Sequence, residues 1–215
     1  MAIETKLFDI SERNPVPVSQ IAIPSDITIF GTGFGDNEYY GDYSGIAKKY
    51  PPRRILEIGV RFGYSGFAMC KGALAAGMQN VEYVGMDAEY FSGPTANQSY
   101  NNYRSNAVAA ENFRRFIPEV NTEFITINTQ HEQFPPSVAF SQFDLINVDG
   151  DHSYEGCLKD MTNCWPLLRD GGIMIVDDTG MVDVKQAIAK CLETWNCEYQ
   201  WYANERGFAI IRRGF

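Results

Sequence analysis

The chain has 215 residues, of which 45% are hydrophobic and 21% are charged. These proportions are ordinary for a globular domain and exclude a fibrous or an intrinsically disordered chain. The formal net charge of -9 argues against nucleic acid as the main partner, because neutralising phosphates requires clustered Lys and Arg. We expect one hydrophobic core, since a core can grow to roughly 250 residues before chains tend to divide.

The cysteines and the apolar runs indicate the cellular compartment. The cysteines are odd in number and lack the close pairs of zinc and redox motifs, so we expect reduced thiols. They are Cys70, Cys157, Cys164, Cys191 and Cys197. The N-terminal residues carry charge, and no run of about 18 apolar residues occurs, so neither a signal peptide nor a membrane span is predicted. We expect a cytoplasmic protein without a membrane partner.

The first 50 residues lie outside the regular pattern that follows them. Glycines alternate there with aromatic residues, which suits a lid over a pocket or, equally, an extension packed on the sheet. The residues concerned are Gly31, Gly33, Phe34, Gly35, Tyr39, Tyr40, Gly41 and Tyr43. We therefore divide the chain into an N-terminal extension or lid, residues 1–50, and a single domain, residues 51–215.

From residue 54 onward, short β-rich runs alternate with helix-compatible stretches. This alternation predicts an α/β, Rossmann-like, doubly wound fold, with a mostly parallel seven-stranded sheet and an antiparallel C-terminal hairpin. The predicted strands are 54–58, 81–86, 123–127, 143–148, 173–176, 198–202 and 208–212. The predicted helices are 65–76, 105–116, 154–168 and 182–195, and residues 92–102 are predicted to form a loop.

A glycine-bearing loop separates the first of these strands from the first helix. Glycine permits positive φ and has no Cβ, so a ligand can lie against bare backbone at the positive end of the helix. The spacing Gly59-x-x-x-Gly63 differs from the G-x-G-x-x-G of dinucleotide sites, which disfavours NAD and a nicotinamide-dependent oxidoreductase. A purely structural turn is the alternative.

Acidic residues follow three of the predicted strands. Asp87 ends the second strand, where its carboxylate can accept two hydrogen bonds from a ribose diol, although a turn-forming role is the alternative. Asp149 follows the fourth strand, and the pair Asp177 and Asp178 follows the fifth. The segments that contain them read FDLINVDGDHSY (residues 143–154) and GGIMIVDD (residues 171–178), with WPLL (residues 165–168) between them.

Together with the glycine loop and Asp87, these segments resemble the class I S-adenosylmethionine-dependent methyltransferases. They are most similar to the branch that includes cephalosporin hydroxylase-like and macrocin O-methyltransferase-like proteins, and more distantly to catechol O-methyltransferase. The resemblance extends over about residues 53–215 and implies that S-adenosyl-L-methionine is the cofactor. The loop would hold its methionine end, Asp87 its ribose, and residues 128–130 its adenine. The implied cofactor-binding residues are Glu57, Gly59, Gly63, Ser65, Asp87, Gln130 and Asp149.

The resemblance also implies a metal site at the ends of two neighbouring strands. Members of the branch that bind a divalent cation use one carboxylate after the fourth strand and an acidic pair after the fifth, which correspond here to Asp149, Asp177 and Asp178. Neighbouring strands bring such carboxylates together, and oxygen ligands suit Mg²⁺ or another hard divalent cation. Helix capping and turn formation are the alternative. Asp149 is the expected general base, and His152 is a catalytic candidate that a structural role would explain equally well.

The expected activity is O-methylation of a small hydroxylated acceptor with divalent-metal assistance, as in natural product biosynthesis. A metal-independent methyltransferase and a non-catalytic small-molecule-binding protein on the same fold are the alternatives. The expected partners are a small-molecule acceptor and, in a homo-oligomer, further copies of the chain. Sugar, phenol, polyketide and amino-acid derivative all remain open as acceptors, as does N-methylation.

Overall fold

A computed structural model of the protein describes residues 1–16, 37–92, 99–101, 104–203 and 206–214. The strands are β1 (Ile3–Glu4), β2 (Arg54–Ile58), β3 (Glu82–Asp87), β4 (Tyr90–Ser92), β5 (Ser99–Asn101), β6 (Asn121–Thr126), β7 (Phe143–Val148), β8 (Leu168–Val176), β9 (Cys197–Tyr202) and β10 (Phe208–Arg213). The helices are α1 (Asn37–Lys49), α2 (Tyr64–Ala75), α3 (Ser105–Phe116), α4 (Pro136–Ala139), α5 (Tyr154–Cys164) and α6 (Val182–Leu192).

The main sheet has eight strands in the order β1-β9-β10-β8-β7-β2-β3-β6. Five consecutive strands of this order, from β8 to the edge strand β6, run parallel to one another. β10 lies antiparallel between β8 and β9, which confirms the α/β class and the antiparallel C-terminal hairpin. The predicted number of strands was too small, because β1 pairs with β9 and forms one edge of the sheet. A strand of two residues is too short to show an alternating pattern in the sequence.

The order of the strands places a crevice beside β2. From β2 the chain continues to β3 and β6 on one side of the sheet and returns to β7 and β8 on the other. Ligands of open α/β sheets bind outside the carboxyl ends of the strands at the point where the strand order reverses. Here that point lies between the loops that follow β2 and β7.

Two predicted segments differ from the structure. The helix predicted over residues 154–168 ends at Cys164, because the 3-10 turn Trp165–Leu167 contains Pro166 and β8 begins at Leu168. The residues 170–172, predicted as a helix breaker, lie within β8, where Gly171 has a φ of 73°. The predicted loop at residues 92–102 includes parts of a separate antiparallel pair, β4 and β5, while residues 93–98 and 102–103 lie outside the described ranges.

Apolar side chains cover both faces of the sheet. Ile55 of β2 belongs to the cluster that contains Phe67 of α2 and Phe113 of α3. Its neighbour Leu56 belongs to the opposite cluster, with Met161 of α5 and Ile188 of α6. This alternation along β2 is the doubly wound arrangement that the sequence predicted. All five cysteines are buried free thiols, which confirms that expectation.

The described parts of the first 50 residues pack on the main domain. Leu7, Phe8, Tyr43 and Ile46 are buried in the cluster that also contains Phe67. Gly31, Gly33, Phe34 and Gly35 lie outside the described residues. The lid hypothesis and the division at residue 50 therefore stay predictions. Among the helices of the described ranges, none combines the length and the apolar character needed to cross a membrane.

Candidate active site

The loop after β2 is bonded to the loops that follow the neighbouring strands. Gly59 has a φ of 86°, and its N–H donates to the Met86 carbonyl oxygen at 2.8 Å. A Cβ at this position would lie 1.9 Å from the Asp149 carbonyl oxygen. The space that glycine leaves at position 59 is therefore filled by the protein's own backbone. Asp149 in turn donates its N–H to the Ile58 carbonyl oxygen at 2.9 Å.

Gly63 stands immediately before α2. It has a φ of 81° and donates its N–H to the Val60 carbonyl oxygen at 2.8 Å. No side chain caps the start of the helix, so backbone groups alone form its N-terminal end at the crevice. Such an end carries partial positive charge and attracts carboxylates and other anions.

Glu57 joins four elements of the core. Its carboxylate is fully buried in β2 and accepts hydrogen bonds from Ser65 of α2 (2.5 Å), Tyr83 of β3 and Asn147 of β7 (2.7 Å). Burial raises its pKa to about 7, although the three hydrogen bonds act in the opposite direction. The hydrogen bond between Ser65 and Glu57 thus joins the two ends of the loop that connects β2 to α2.

Asp87 lies at the end of β3, as the sequence predicted. Its carboxylate accepts hydrogen bonds from the N–H groups of Arg61 (2.7 Å) and Glu89 (2.6 Å) and from the Ser105 hydroxyl (3.1 Å). Burial raises the pKa of Asp87, against the effect of these hydrogen bonds. About four acceptor positions exist on a carboxylate, so a contact with both hydroxyls of a ribose requires one internal bond to loosen.

Gln130 follows β6, on the far side of the crevice. Its side-chain nitrogen lies 3.4 Å from both the Thr129 hydroxyl and the Gly156 carbonyl oxygen. The main-chain carbonyl oxygen of Gln130 accepts a hydrogen bond from the Lys159 ammonium group at 2.6 Å. These contacts attach the loop after β6 to α5.

Three ionisable side chains meet beyond the ends of β7 and β8. Asp149, His152 and Asp178 offer ligand atoms that all lie within 4.8 Å of one another. The His152 Nε2 atom is 3.3 Å from Asp149 Oδ1 and 3.2 Å from Asp178 Oδ2. Burial lowers the pKa of His152, but the hydrogen bond with Asp149 and the charges of Asp149, Asp178 and Asp177 raise it to about 9. We call these three residues the carboxylate–histidine cluster.

Asp177, the third residue of the expected metal site, is not part of this cluster. It is 3% exposed, and its Oδ1 atom accepts a hydrogen bond from the Asp178 N–H at 2.6 Å. That bond belongs to the turn after β8, in which Asp178 has a φ of 53°. The structure therefore brings together two of the three expected carboxylates, with His152 as the third group.

Arg206 is a site residue that the sequence did not reveal. Its Nε atom lies 3.1 Å from Asp178 Oδ1 and its Nη2 atom 3.2 Å from Asp178 Oδ2. Burial lowers the pKa of Arg206, but the hydrogen bond with Asp178 and the charges of Asp177, Asp178 and Asp149 raise it above its ordinary value. No sequence motif indicates this residue. Arg206 is far from Asp178 in the sequence, and the pairing of β10 with β8 brings it to the cluster.

Tyr40 of α1 packs against the start of α2. Its side chain is buried, and its ring centroid lies 5.5 Å from that of Tyr64 at the start of α2. Burial and, to a smaller extent, the charge of Asp149 raise the pKa of the Tyr40 hydroxyl. The sequence pointed to Tyr40 only as one aromatic residue among several.

The fold and the glycine loop at the strand-order reversal define a class I methyltransferase-like domain. A family model described as a methyltransferase domain matches residues 56–179, which is more than half of the chain. The chain belongs to this family of methyltransferase domains. This match confirms the resemblance to class I methyltransferases, and the narrower branch within them stays a prediction.

Solved structures of similar fold include three methyltransferases. An SAH-bound methyltransferase from Podospora anserina is 18% identical, with 84% of this chain and 80% of that chain covered and a TM-score of 0.56. The O-methyltransferase TomG from Streptomyces achromogenes, involved in tomaymycin synthesis and solved with SAM, is 15% identical, with coverage of 89% and 83% and a TM-score of 0.60. An O-methyltransferase from Bacillus cereus, in complex with SAH, is 15% identical, with coverage of 87% and 83% and a TM-score of 0.54.

Among curated proteins, the uncharacterised protein y4gI of Sinorhizobium fredii is 28% identical over 131 residues. The match covers 60% of this chain but 13% of that protein. The similar region is thus a small part of a much longer chain.

Proposed function

We propose that this protein is an S-adenosylmethionine-dependent methyltransferase that methylates an oxygen atom of a small hydroxylated acceptor. The observation that carries the proposal is the loop from Gly59 to Gly63, which lies at the strand-order reversal and leads into a helix that no side chain caps. The membership of the chain in a family of methyltransferase domains supports the same conclusion. The structural neighbours described as O-methyltransferases support oxygen as the acceptor atom.

The cofactor would lie across the loops that follow β2, β3 and β6. Its methionine carboxylate would face the N-terminus of α2 beside Gly63, where the helix end favours an anion. Its ribose would face Asp87, and its adenine the loop that contains Gln130. Glu57, Ser65 and Gly59 would hold the shape of this surface, since their contacts lie within the protein.

The transfer of a methyl group from a sulfonium to an oxygen is an in-line displacement. The main task of the protein is to hold donor and acceptor about 3 to 3.5 Å apart in the correct orientation. The carbon–sulfur bond breaks as the carbon–oxygen bond forms, and the acceptor hydroxyl loses its proton. We assign Asp149 as the residue that takes this proton, and His152, at 3.3 Å, as the residue that orients the Asp149 carboxylate.

A divalent cation fits the donor set of the carboxylate–histidine cluster. Asp149 and Asp178 would hold the cation, with His152 in the place expected for Asp177. Carboxylate oxygens suit Mg²⁺, and a histidine nitrogen extends the choice to other divalent metals. When bound, the cation would lower the pKa of the acceptor hydroxyl and orient it.

A metal-independent methyltransferase is the second candidate, and one observation favours it. Asp178 already has a cationic partner, because Arg206 contacts both of its oxygens. The positive charge of Arg206 would then offset the negative charge of Asp178, and the site would not need a metal ion for this purpose. The two candidates differ in a single property, which is the dependence of turnover on a divalent cation.

The proposed activity is tested first by calorimetry on the full chain. Saturable binding of S-adenosylhomocysteine, with no binding of NADH, is the expected result, and the reverse result would contradict the proposal. Transfer of a labelled methyl group is then measured with a sugar, a catechol, a phenolic polyketide and an amino-acid derivative. Tight cofactor binding without transfer to any hydroxylated acceptor would point to the non-catalytic alternative. Full turnover after EDTA treatment would select the metal-independent candidate.

A further inference from the structure

Arg206 is held against Asp178 by its own backbone as well as by its side chain. The Gly180 N–H donates to the Arg206 carbonyl oxygen at 2.6 Å, and the Thr179 N–H donates to the Gly207 carbonyl oxygen at 3.1 Å. A Cβ at Gly207, whose φ is 72°, would lie 2.4 Å from the Thr179 hydroxyl oxygen. Arg206 and Gly207 are therefore fixed on the loop that follows β8, and Arg206 is not a freely placed surface arginine.

Both oxygens of Asp178 already have partners. The guanidinium spans both of them, and His152 contacts Oδ2 as well. The Asp178 side chain is 12% exposed, whereas the Arg206 side chain is 43% exposed. A carboxylate that is largely removed from water needs a partner of opposite charge. Arg206 supplies that partner, and it does so in the two-pronged geometry that makes arginine–carboxylate pairs strong.

A divalent cation in the cluster needs the same oxygens. It would also be repelled by the guanidinium, since both are positive and would lie next to each other. We propose that Arg206 is a built-in counter-ion that competes with the divalent cation for Asp178 and so sets the affinity of the cluster for metal. This inference rests on the cation that forms part of the proposed function. It adds that metal binding requires Arg206 to loosen its contact with Asp178, which couples the position of Arg206 to the occupancy of the site.

The test replaces Arg206 with Gln, which keeps a polar N–H donor and has no charge. Arg212→Gln is the matched control, because Arg212 lies on β10 and pairs with Glu198, away from the cluster. Both variants and the wild type are stripped with EDTA and titrated with Mg²⁺ by calorimetry in the presence of S-adenosylhomocysteine. We expect Arg206→Gln to bind Mg²⁺ at least fivefold more tightly than the wild type, and Arg212→Gln to bind as the wild type does.

Thermal unfolding gives a second readout that does not depend on activity. Without metal, Arg206→Gln should melt at a lower temperature than the wild type, because Asp178 loses its counter-ion. With saturating Mg²⁺ the deficit should largely disappear, since the cation takes over that role. If Arg206→Gln folds only in the presence of Mg²⁺, that dependence supports the inference, and Arg206→Lys, which keeps the charge but loses the fork, should show an intermediate affinity.

The outcomes separate this inference from the proposed function. Equal or weaker Mg²⁺ binding by Arg206→Gln, when the wild type does bind Mg²⁺, overturns the role of Arg206 alone. Absence of Mg²⁺ binding by both proteins, with S-adenosylhomocysteine binding intact, overturns this inference and selects the metal-independent candidate. Absence of S-adenosylhomocysteine binding by the wild type contradicts the proposed function itself.

Discussion

The backbone of Gly59 lies so close to Asp149 that a Cβ at position 59 would be 1.9 Å from the Asp149 carbonyl oxygen. The loops that follow β2 and β7 are therefore in direct backbone contact. One of these loops forms the proposed cofactor surface, and the other carries the proposed proton acceptor. Any side chain at position 59 has to push the two apart.

Gly59→Ala is expected to destabilise the protein by more than its backbone conformation alone would cost. Gly77 is a suitable control, since its φ of 87° matches that of Gly59 but nothing lies within 4 Å of a Cβ there. Gly77→Ala should cost about 1–2 kcal/mol, the usual penalty of a left-handed residue. Gly59→Ala should cost clearly more in urea unfolding and should abolish S-adenosylhomocysteine binding. Equal costs for the two variants would show that the loops can separate freely.

Asp87→Ala should weaken S-adenosylhomocysteine binding by about 1.5 to 3 kcal/mol, the range for hydrogen bonds to a charged group. The internal bonds of Asp87 make a control necessary, and Ser105→Ala removes one of them without touching the carboxylate. A 2′-deoxy analogue of the ligand identifies direct contact. The wild type should prefer the natural ribose, and Asp87→Ala should lose that preference. If the preference persists in the variant, another residue holds the ribose.

Glu57 is expected to make the stability of the fold depend on pH. Its pKa is about 7 in the folded protein and 4.5 ordinarily, so the folded state holds the proton more tightly than the unfolded state. The resulting stabilisation is complete below pH 4.5 and is lost as the pH rises through 7, by up to about 3 kcal/mol. Urea unfolding at pH 4.5 and pH 7.5 measures it.

In Glu57→Gln, which cannot ionise, this part of the pH dependence should vanish. Glu123→Gln, at an exposed position on β6, should keep the pH dependence of the wild type. A wild-type profile in Glu57→Gln would mean that folding does not raise the pKa of Glu57.

Tyr40→Phe should lower turnover while leaving cofactor binding within about twofold, because the charges of Asp149 and Asp177 act on the Tyr40 hydroxyl, whereas Asp87 holds the loop after β3 through other partners. We expect a loss of about tenfold in turnover, or ~1.4 kcal/mol in the barrier. Tyr50→Phe is the matched control, since the Tyr50 hydroxyl donates to the Leu7 carbonyl oxygen at 2.7 Å, at the other end of α1. A similar loss of turnover in both variants would assign Tyr40 a purely structural role.

Much of the domain could be predicted because its structural signals are local. The helix Ser105–Phe116 and the strand Phe143–Val148 have the predicted bounds, since helical spacing and a continuous apolar run are read within a few residues. The positions of Asp87, Asp149 and Asp178 at strand ends follow from the same runs. Their proposed roles in binding and catalysis stay predictions.

Other features depend on contacts between distant parts of the chain. β1 has two residues, and only the edge of β9 gives it a partner. Asp177 was expected to hold a metal with Asp149 and Asp178, but the groups that meet within 4.8 Å of one another are Asp149, His152 and Asp178, while Asp177 Oδ1 accepts a hydrogen bond from the Asp178 N–H. The direction of a side chain within a turn depends on the φ and ψ angles of the turn residues, and these angles cannot be read from the sequence.

The sequence by itself determined the class of fold, the order of the main strands and helices, and the acidic residues at the ends of three strands, because each depends on a short periodic pattern. Only the tertiary structure decided which charges meet. His152 lies between Asp149 and Asp178, and Arg206 reaches Asp178 from 28 residues further along the chain. Electrostatic pairing acts through space, and the insertion of β10 beside β8 makes these residues neighbours.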